Sequence, residues 1–217
     1  MKFSAFIPIK LKSERVPNKN FTLIDNKPLF FYILETLRSI ESISQIVIDA
    51  DDQAVVDEIK KYFDNLDIFI RNPKLTSPVE SVNNIINSNL ENFKNEAIIQ
   101  THVTNPLLHH KTLEIALNEY AENNKAIFSV NAFQSRFYNS KLEAINHNPD
   151  ELIPTQDLDI IYEENSNFYI FSKDQFIKNN NKRLGSESTP FVTNIYESID
   201  IDNQEDLKIV KKIINYK

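Results

Sequence analysis

Cysteine is absent from these 217 residues, which removes disulfides, thiol nucleophiles and thiolate metal sites together. That suits a reducing compartment. Glycine occurs once. Phosphate-binding loops commonly use glycine to bring backbone amides against a ligand, so neither a Walker loop nor a dinucleotide fingerprint can be written in this chain. No stretch approaches the roughly 20 apolar residues of a membrane span, and the apolar run after Lys2 is too short for a secretory signal. The expected location is the cytoplasm. Basic charge is scarce as well: 24 Lys and Arg against 31 Asp and Glu leave a net charge of −7, which argues against nucleic-acid binding through a basic surface. What remains is an ordinary globular composition, 41% hydrophobic and 25% charged, with length enough for one domain and a substantial core.

Against this acidic background five cations, Lys2, Lys10, Lys12, Arg15 and Lys19, fall in the first nineteen residues. A short apolar strand over 4–7 breaks at Pro8, and the loop that follows carries the cations. In an α/β sheet the carboxyl end of the first strand is a place where phosphates bind. Taken singly each cation is ordinary surface charge; clustered, they point to a site for a small anion.

The pattern downstream alternates. Leu29, Ile33, Leu34 and Leu37 form one stripe of a helix over 28–40 with Pro28 near its first turn. Strands are predicted over 45–50 and 67–70, with a helix over 53–63 between them. A loop over 71–78 leads into helical spacing at Val82, Ile85, Ile86 and Leu90 (79–93). A strand over 97–102, a polar turn over 103–106, a helix from 109 to 122 and a strand over 126–130 continue the series. Such alternation is the mark of a parallel sheet with helical crossovers. The segment 131–159 breaks the rhythm and reads as a β-rich insertion or an arm. A strand over 167–171, a Ser172–Gln175 capping box, a short strand over 198–201 and a helix from 203 with Leu207, Val210, Ile213 and Ile214 on one side complete the chain.

Two constellations carry chemistry. If Asp200 and Asp202 lie in an extended strand, their carboxylates share a face about 6.5 Å apart along the chain, suited to one hard cation, with Mg2+ the natural candidate. Alternatively Asp202, with Glu205, is a helix N-cap and capping box. His102 falls just past a strand end beside Thr104 and Asn105, on the same rim as the cationic loop, although a lone histidine is more often structural. His109 and His110 read as surface, and Asp51 and Asp52 as helix caps. With no serine nucleophile elbow or zincin helix in view, the chemistry left is phosphoryl or nucleotidyl transfer with positioned cations and a divalent metal.

The stretch IPIKLKSERVPNKN resembles the opening motif of the acylneuraminate cytidylyltransferases and their Kdo-activating relatives, with Pro8, Lys10, Ser13, Pro17, Lys19 and Asn20 on the pattern. Ser13-x-Arg15-Val16-Pro17-x-Lys19 is closer to the Kdo branch. The likeness continues in order through Lys27-Pro28-Leu29, Asp49 to Asp52, Arg71-x-Pro73, Thr104-Asn105-Pro106-Leu107, Thr155-Gln156-Asp157, Asn165 to Phe171 and Asp200-Ile201-Asp202 with Glu205-Asp206-Leu207. It implies a Rossmann-like three-layer αβα nucleotidyltransferase fold, a mixed, mostly parallel sheet in a single domain. It further implies a homodimer, built with an inserted arm at about 131–159. By the same carry-over Lys10, Lys19 and Arg15 serve the CTP phosphates, and Pro8, Ile9, Ser13, Asn20, Arg71 and Ser81 line the nucleotide. His102, Thr104, Asn105, Gln156 and Asn165 face an acidic sugar, and Asp200 and Asp202 hold Mg2+.

The departures from the family pattern are specific. Lys10 replaces an arginine and loses its bidentate geometry, and Leu11 and Lys12 replace a glycine pair. His102 stands where the family has glutamine, and Asn165-Ser166 replaces Asn-Gly. His102 and Thr155 point to an acceptor other than ordinary N-acetylneuraminate. Two other classes stay open at this stage: a nucleotide-sugar glycosyltransferase with a metal-binding D-x-D, and a nucleotide-binding module without turnover.

Overall fold

Alternate residues of β1 (Phe3–Ile9) separate onto two faces: Phe3, Ala5, Ile7 and Ile9 enter one apolar cluster, Phe6 the other. Side chains of a strand alternate sides, so this split makes β1 the middle of a sheet covered on both faces. The structure is a computed structural model that describes residues 1–13, 16–77 and 79–215. Arg15 therefore lies outside the described residues.

After β1 come a two-residue hairpin, β2 (Leu23–Ile24) and β3 (Lys27–Pro28), and then α1 (Leu29–Arg38), β4 (Ile43–Ala50), α2 (Gln53–Ile59) and β5 (Asp67–Ile70). The chain continues through α3 (Val82–Ser88), β6 (Ala97–Thr101), α4 (His110–Asn123) and β7 (Ile127–Phe133). The last elements are β8 (Ile161–Ser172), α5 (Lys173–Lys178), β9 (Thr189–Val192) and α6 (Gln204–Asn215). Among the described residues seven strands form one sheet in the order β5-β4-β1-β6-β8-β7-β9. Only β8 runs against its neighbours β6 and β7; the other pairings are parallel. Apolar residues of α1, α2, α4 and α6 fill one cluster with the odd positions of β1, while Ile85 and Ile86 of α3 and Phe176 of α5 fill the other. The result is the three-layer αβα arrangement and mixed, mostly parallel sheet that the sequence predicts.

Local expectations hold where periodicity was long. Pro28 is the N-cap of α1, and Ser172 with Gln175 forms a reciprocal capping box on α5. Asp52 caps α2 by accepting from Ala54 N at 2.8 Å. The expected helix over 79–93 is shorter: Ser81 caps α3, which gives way to a 3-10 turn at Leu90–Asn92. The expected strand over 198–201 does not form. Ile201 N bonds Thr104 O instead (2.9 Å), and Ser198 closes a turn on Asn194 O (3.2 Å). The strand of that region is β9, whose Pro190 lacks the donor needed in a central strand and is tolerated at this sheet edge.

Among the described residues six of the nine non-glycine residues with positive φ are asparagines: Asn18, Asn26, Asn65, Asn124, Asn180 and Asn181. Asparagine tolerates the left-handed region better than most residues, which is how a chain with a single glycine makes its turns. The segment 134–160 leaves the carboxyl end of β7 and returns as β8, with a bridge between Tyr138 and Ala144 and Leu142 at φ 63°.

Candidate active site

The strand order reverses direction at β1: β4 and β5 lie on one side, β6 on the other. Crevices at such switch points, outside the carboxyl ends of the strands, are where open α/β sheets bind ligands. Here the crevice is a cleft of about 760 Å³. β1 runs on through Pro8 to Ile9 rather than breaking at the proline, and supplies Pro8; the loop after it supplies Lys10, Lys12, Ser13, Lys19 and Asn20; the ends of β4 and β5 supply Asp51, Asp52 and Arg71; and His102 and Thr104 follow β6.

The opening loop keeps its shape through side-chain bonds. Leu11 N donates to Asp51 Oδ1 at 2.7 Å, Asn20 Nδ2 donates to Lys10 O at 2.8 Å, and Asn18 takes the left-handed conformation at φ 54°. Asp51 therefore anchors the loop, a role that its reading as a helix cap missed. Lys19 then reaches across to the other end of the chain. Its Nζ donates to Ile201 O and stands 3.8 Å from Asp202 Oδ1.

Asp200 and Asp202 lie in a loop, so the strand spacing expected for them does not apply. Nor is Asp202 the helix cap. Asn203 Oδ1 accepts from Glu205 N (2.8 Å) and Asp206 N (3.1 Å), while Asp206 Oδ2 accepts from Asp202 N and Asn203 N, both at 2.9 Å. The capping box is Asn203–Asp206, which leaves the Asp202 carboxylate facing Lys19. Two hard carboxylates fit the donor preference of Mg2+, which usually completes its shell with water and substrate phosphate. Among the described residues no group of three or more His, Cys, Asp or Glu side chains is placed to hold a metal alone.

Arg71 is 1% exposed. Its Nε donates to Asp49 Oδ1 and its Nη2 to Asp49 O, and Asn89 Nδ2 donates to Asp49 Oδ2 at 2.8 Å. Nη1 is buried without a hydrogen-bond partner among the described residues. The guanidinium is thus pinned on one side, with a donor to spare on a residue that lines the cleft. His102 has its pKa pushed down to about 4, first by burial and then by the charges of Arg183 and Lys19. It is neutral at physiological pH.

The remaining candidates are dispersed. Ile9 is fully buried in the core, and its carbonyl accepts from Asp51 N at 3.2 Å. Ser81 is the cap of α3, next to Glu80 and Val82, which do line the cleft. Asn105 is buried, its amide atoms lacking partners among the described residues. Gln156 is exposed in the 3-10 turn Thr155–Asp157. Asn165 is buried in β8, where its Nδ2 donates to Asn131 Oδ1 of β7 (3.0 Å) and to Oγ1 of Thr193, the residue after β9 (2.7 Å). His109 is the N-cap of α4, accepting from Lys111 N at 3.3 Å, and is partly buried rather than a surface residue.

The model of the family described as cytidylyltransferase matches residues 4–216. This chain belongs to the cytidylyltransferase family. Within it, the chain is similar to CMP-N,N'-diacetyllegionaminic acid synthase of Legionella pneumophila, at 26% identity over 99% of this chain and 97% of the relative. It is also similar to 3-deoxy-manno-octulosonate cytidylyltransferase 2 of Hydrogenovibrio crunogenus, at 20% identity over 98% and 85%. In fold, this cytidylyltransferase matches a solved CMP:2-keto-3-deoxy-manno-octonic acid synthetase complexed with CTP, with TM-score 0.74, 11% identity and coverage of 100% and 99%. A 4-diphosphocytidyl-2C-methyl-D-erythritol synthase from Anaerococcus prevotii follows at TM-score 0.69 and 14% identity, covering 99% and 98%.

Proposed function

We propose that this cytidylyltransferase couples CTP to an acidic sugar, a nonulosonic acid or a related keto-acid sugar, giving a CMP-sugar and pyrophosphate. The observation that carries the reading is the meeting of the cationic loop with the carboxylate segment across 182 residues of sequence, through Lys19 on Ile201 O. A sugar hydroxyl, giving up its proton to solvent, attacks the α-phosphorus of CTP; the bond to the β-phosphate oxygen breaks, and pyrophosphate leaves with that oxygen. Lys10 and Lys19 offset charge on the α-phosphate and the leaving group, and most of the rate comes from positioning and electrostatics. Asp200 and Asp202 would hold Mg2+, which supplies charge neutralisation at the phosphates when bound. The spare donor of Arg71 suits a carbonyl of the base, and His102 and Thr104 face the sugar.

The two sequence relatives act, by their names, on legionaminic acid and on 3-deoxy-manno-octulosonate, which supports an acidic acceptor here. CTP is an intracellular nucleotide, so the reading puts the enzyme in the cytoplasm; no helix among the described residues is long and apolar enough to cross a membrane. Residues 131–133 of the expected arm belong to β7, and the remaining segment, 134–160, exposes Tyr138, Leu142, Ile145 and Leu152. We assign that apolar surface to a second copy of the chain, and a light-scattering mass of one chain at micromolar concentration would remove the assignment.

The deciding experiment is pyrophosphate release from CTP against a panel of nonulosonic acids and Kdo. Release with at least one acidic sugar, dependent on Mg2+, is the expected result. CTP binding without release would make the chain a nucleotide-binding module, and sugar transfer from a supplied nucleotide-sugar would make it a glycosyltransferase.

A further inference from the structure

Gln100 of β6 pairs with Tyr169 of β8. Even-numbered β6 positions such as Ile98 and odd-numbered β8 positions such as Tyr169 enter the same apolar cluster, so Gln100 belongs to that face and His102 follows it two residues on. Gln100 is fully buried. Arg183, from the loop between α5 and β9, covers the pair. Its Cζ lies 3.8 Å from the Tyr169 ring centroid, and its Nη1 donates to Gln100 Oε1. Behind it Tyr169 OH donates to Glu164 Oε1 and lies 3.1 Å from Ser166 Oγ.

The direction of every proton in this chain follows from one fact. A guanidinium has donors and no acceptor, so the Gln100 oxygen must face Arg183 and the amide nitrogen must face the other way. That nitrogen lies 3.0 Å from Thr101 O and 2.9 Å from His102 Nε2. An amide NH2 only donates, so His102 Nε2 must accept, which an imidazole nitrogen does only when it carries no proton. The proton of the neutral ring is then on Nδ1.

We propose that Arg183, acting through Gln100, is a positioning residue that holds His102 as the Nδ1–H tautomer, so that the cleft presents its substrate a fixed N–H donor rather than a general base. The nature of that substrate, an oxygen of the acidic sugar, rests on the proposed function; the tautomer does not. The charged and titratable groups around the ring agree with the assignment. Arg183 from its loop and Lys19 from the opening loop both oppose an imidazolium, with burial acting the same way. Glu164 and Tyr169 of β8 face Arg183, and the Tyr169 hydroxyl, pushed up to about 12 mainly by burial, stays protonated. A second proton on His102 would also set Nε2–H against the Gln100 amide, donor against donor.

The test is 15N NMR of the full chain labelled at histidine, with the His102 signals assigned by their loss in His102→Gln. From pH 8 to about 5.5 the wild type should show a protonated Nδ1 and an unprotonated Nε2. In Arg183→Met the Gln100 amide is released to rotate, so the Nε2–H tautomer should appear and the titration midpoint should rise by about one unit or more. Gln100→Glu is a second variant that retains the contact to Arg183 and replaces the donor with an acceptor; it should move the proton to Nε2. An Nε2–H tautomer in the wild type, or unchanged populations in both variants, would overturn the proposal. In turnover, Arg183→Met should raise KM for the acidic sugar about tenfold while KM for CTP moves by less than about twofold; equal losses for both substrates would overturn the positioning role. Failure of the whole sugar panel would count against the proposed function and leave the NMR result standing.

Discussion

Lys19 Nζ stands 3.8 Å from Asp202 Oδ1 while donating to the neighbouring carbonyl of Ile201. This contact joins the first loop of the sheet to the loop before α6, and it sets the Asp202 carboxylate beside Lys19, which lines the cleft. The distance is longer than a good hydrogen bond, and the Asp202 side chain is 41% exposed, so the pair adds little to stability.

Asp202 and Asn203 should therefore separate cleanly. Asn203→Ala removes the cap of α6 and should cost about 1 kcal/mol in urea unfolding. Asp202→Ala should cost less than about 0.5 kcal/mol and reduce Mg2+-dependent pyrophosphate release by about 100-fold or more. Near wild-type turnover in Asp202→Ala would refute its role as a metal ligand.

The buried pair of Arg71 and Asp49 should behave in the opposite way. Asp49→Ala leaves a guanidinium uncompensated in the interior and should cost about 3–5 kcal/mol in chemical denaturation. A loss under 1 kcal/mol, roughly that of an ordinary hydrogen bond, would show that water reaches Arg71.

His102 ties stability to pH. Its pKa is depressed from 6.5 to about 4 in the folded protein, so below pH 6.5 the unfolded chain binds more protons at this site. The stability linked to the neutral ring is complete above pH 6.5 and is lost as pH falls towards 4, by up to about 3 kcal/mol. His102→Gln should lose less stability than wild type over that window. Parallel pH–stability curves from denaturant titrations would disprove the linkage.

Ser166 sits at φ 57° in the middle of β8, close to where the register of β7 against β8 shifts. A side chain there is strained and glycine is not. Ser166→Gly should raise stability by about 0.5–1 kcal/mol despite losing the contact to Tyr169. An unchanged or lower melting temperature would mean that the Ser166–Tyr169 contact outweighs the strain.

Much of this was legible in the chain because it depends on local order. The stripe of Leu29, Ile33, Leu34 and Leu37 specifies α1, and the run of apolar strands separated by helices specifies a parallel sheet. Pro8 in the first strand and Lys10, Ser13, Lys19 and Asn20 after it mark one wall of the cleft. Arg183 carried no such signal, since it lies in a loop of ordinary composition and acquires its role only by covering Gln100. Asp51 was misread for a related reason: a carboxylate before a helix has a local partner in the sequence, but its real partner, Leu11 N, is 40 residues away.

The boundary between the two kinds of knowledge is physical. Side-chain periodicity, capping and turn chemistry act over a few residues, so the chain by itself determined its layers, its strand-end loops and its family motifs. Which carboxylate meets which cation, which asparagine joins β8 to β7 and which nitrogen of His102 carries a proton depend on groups brought together from distant positions. Those were decided by the packing of the sheet and by the need to satisfy each buried donor and acceptor once water is gone.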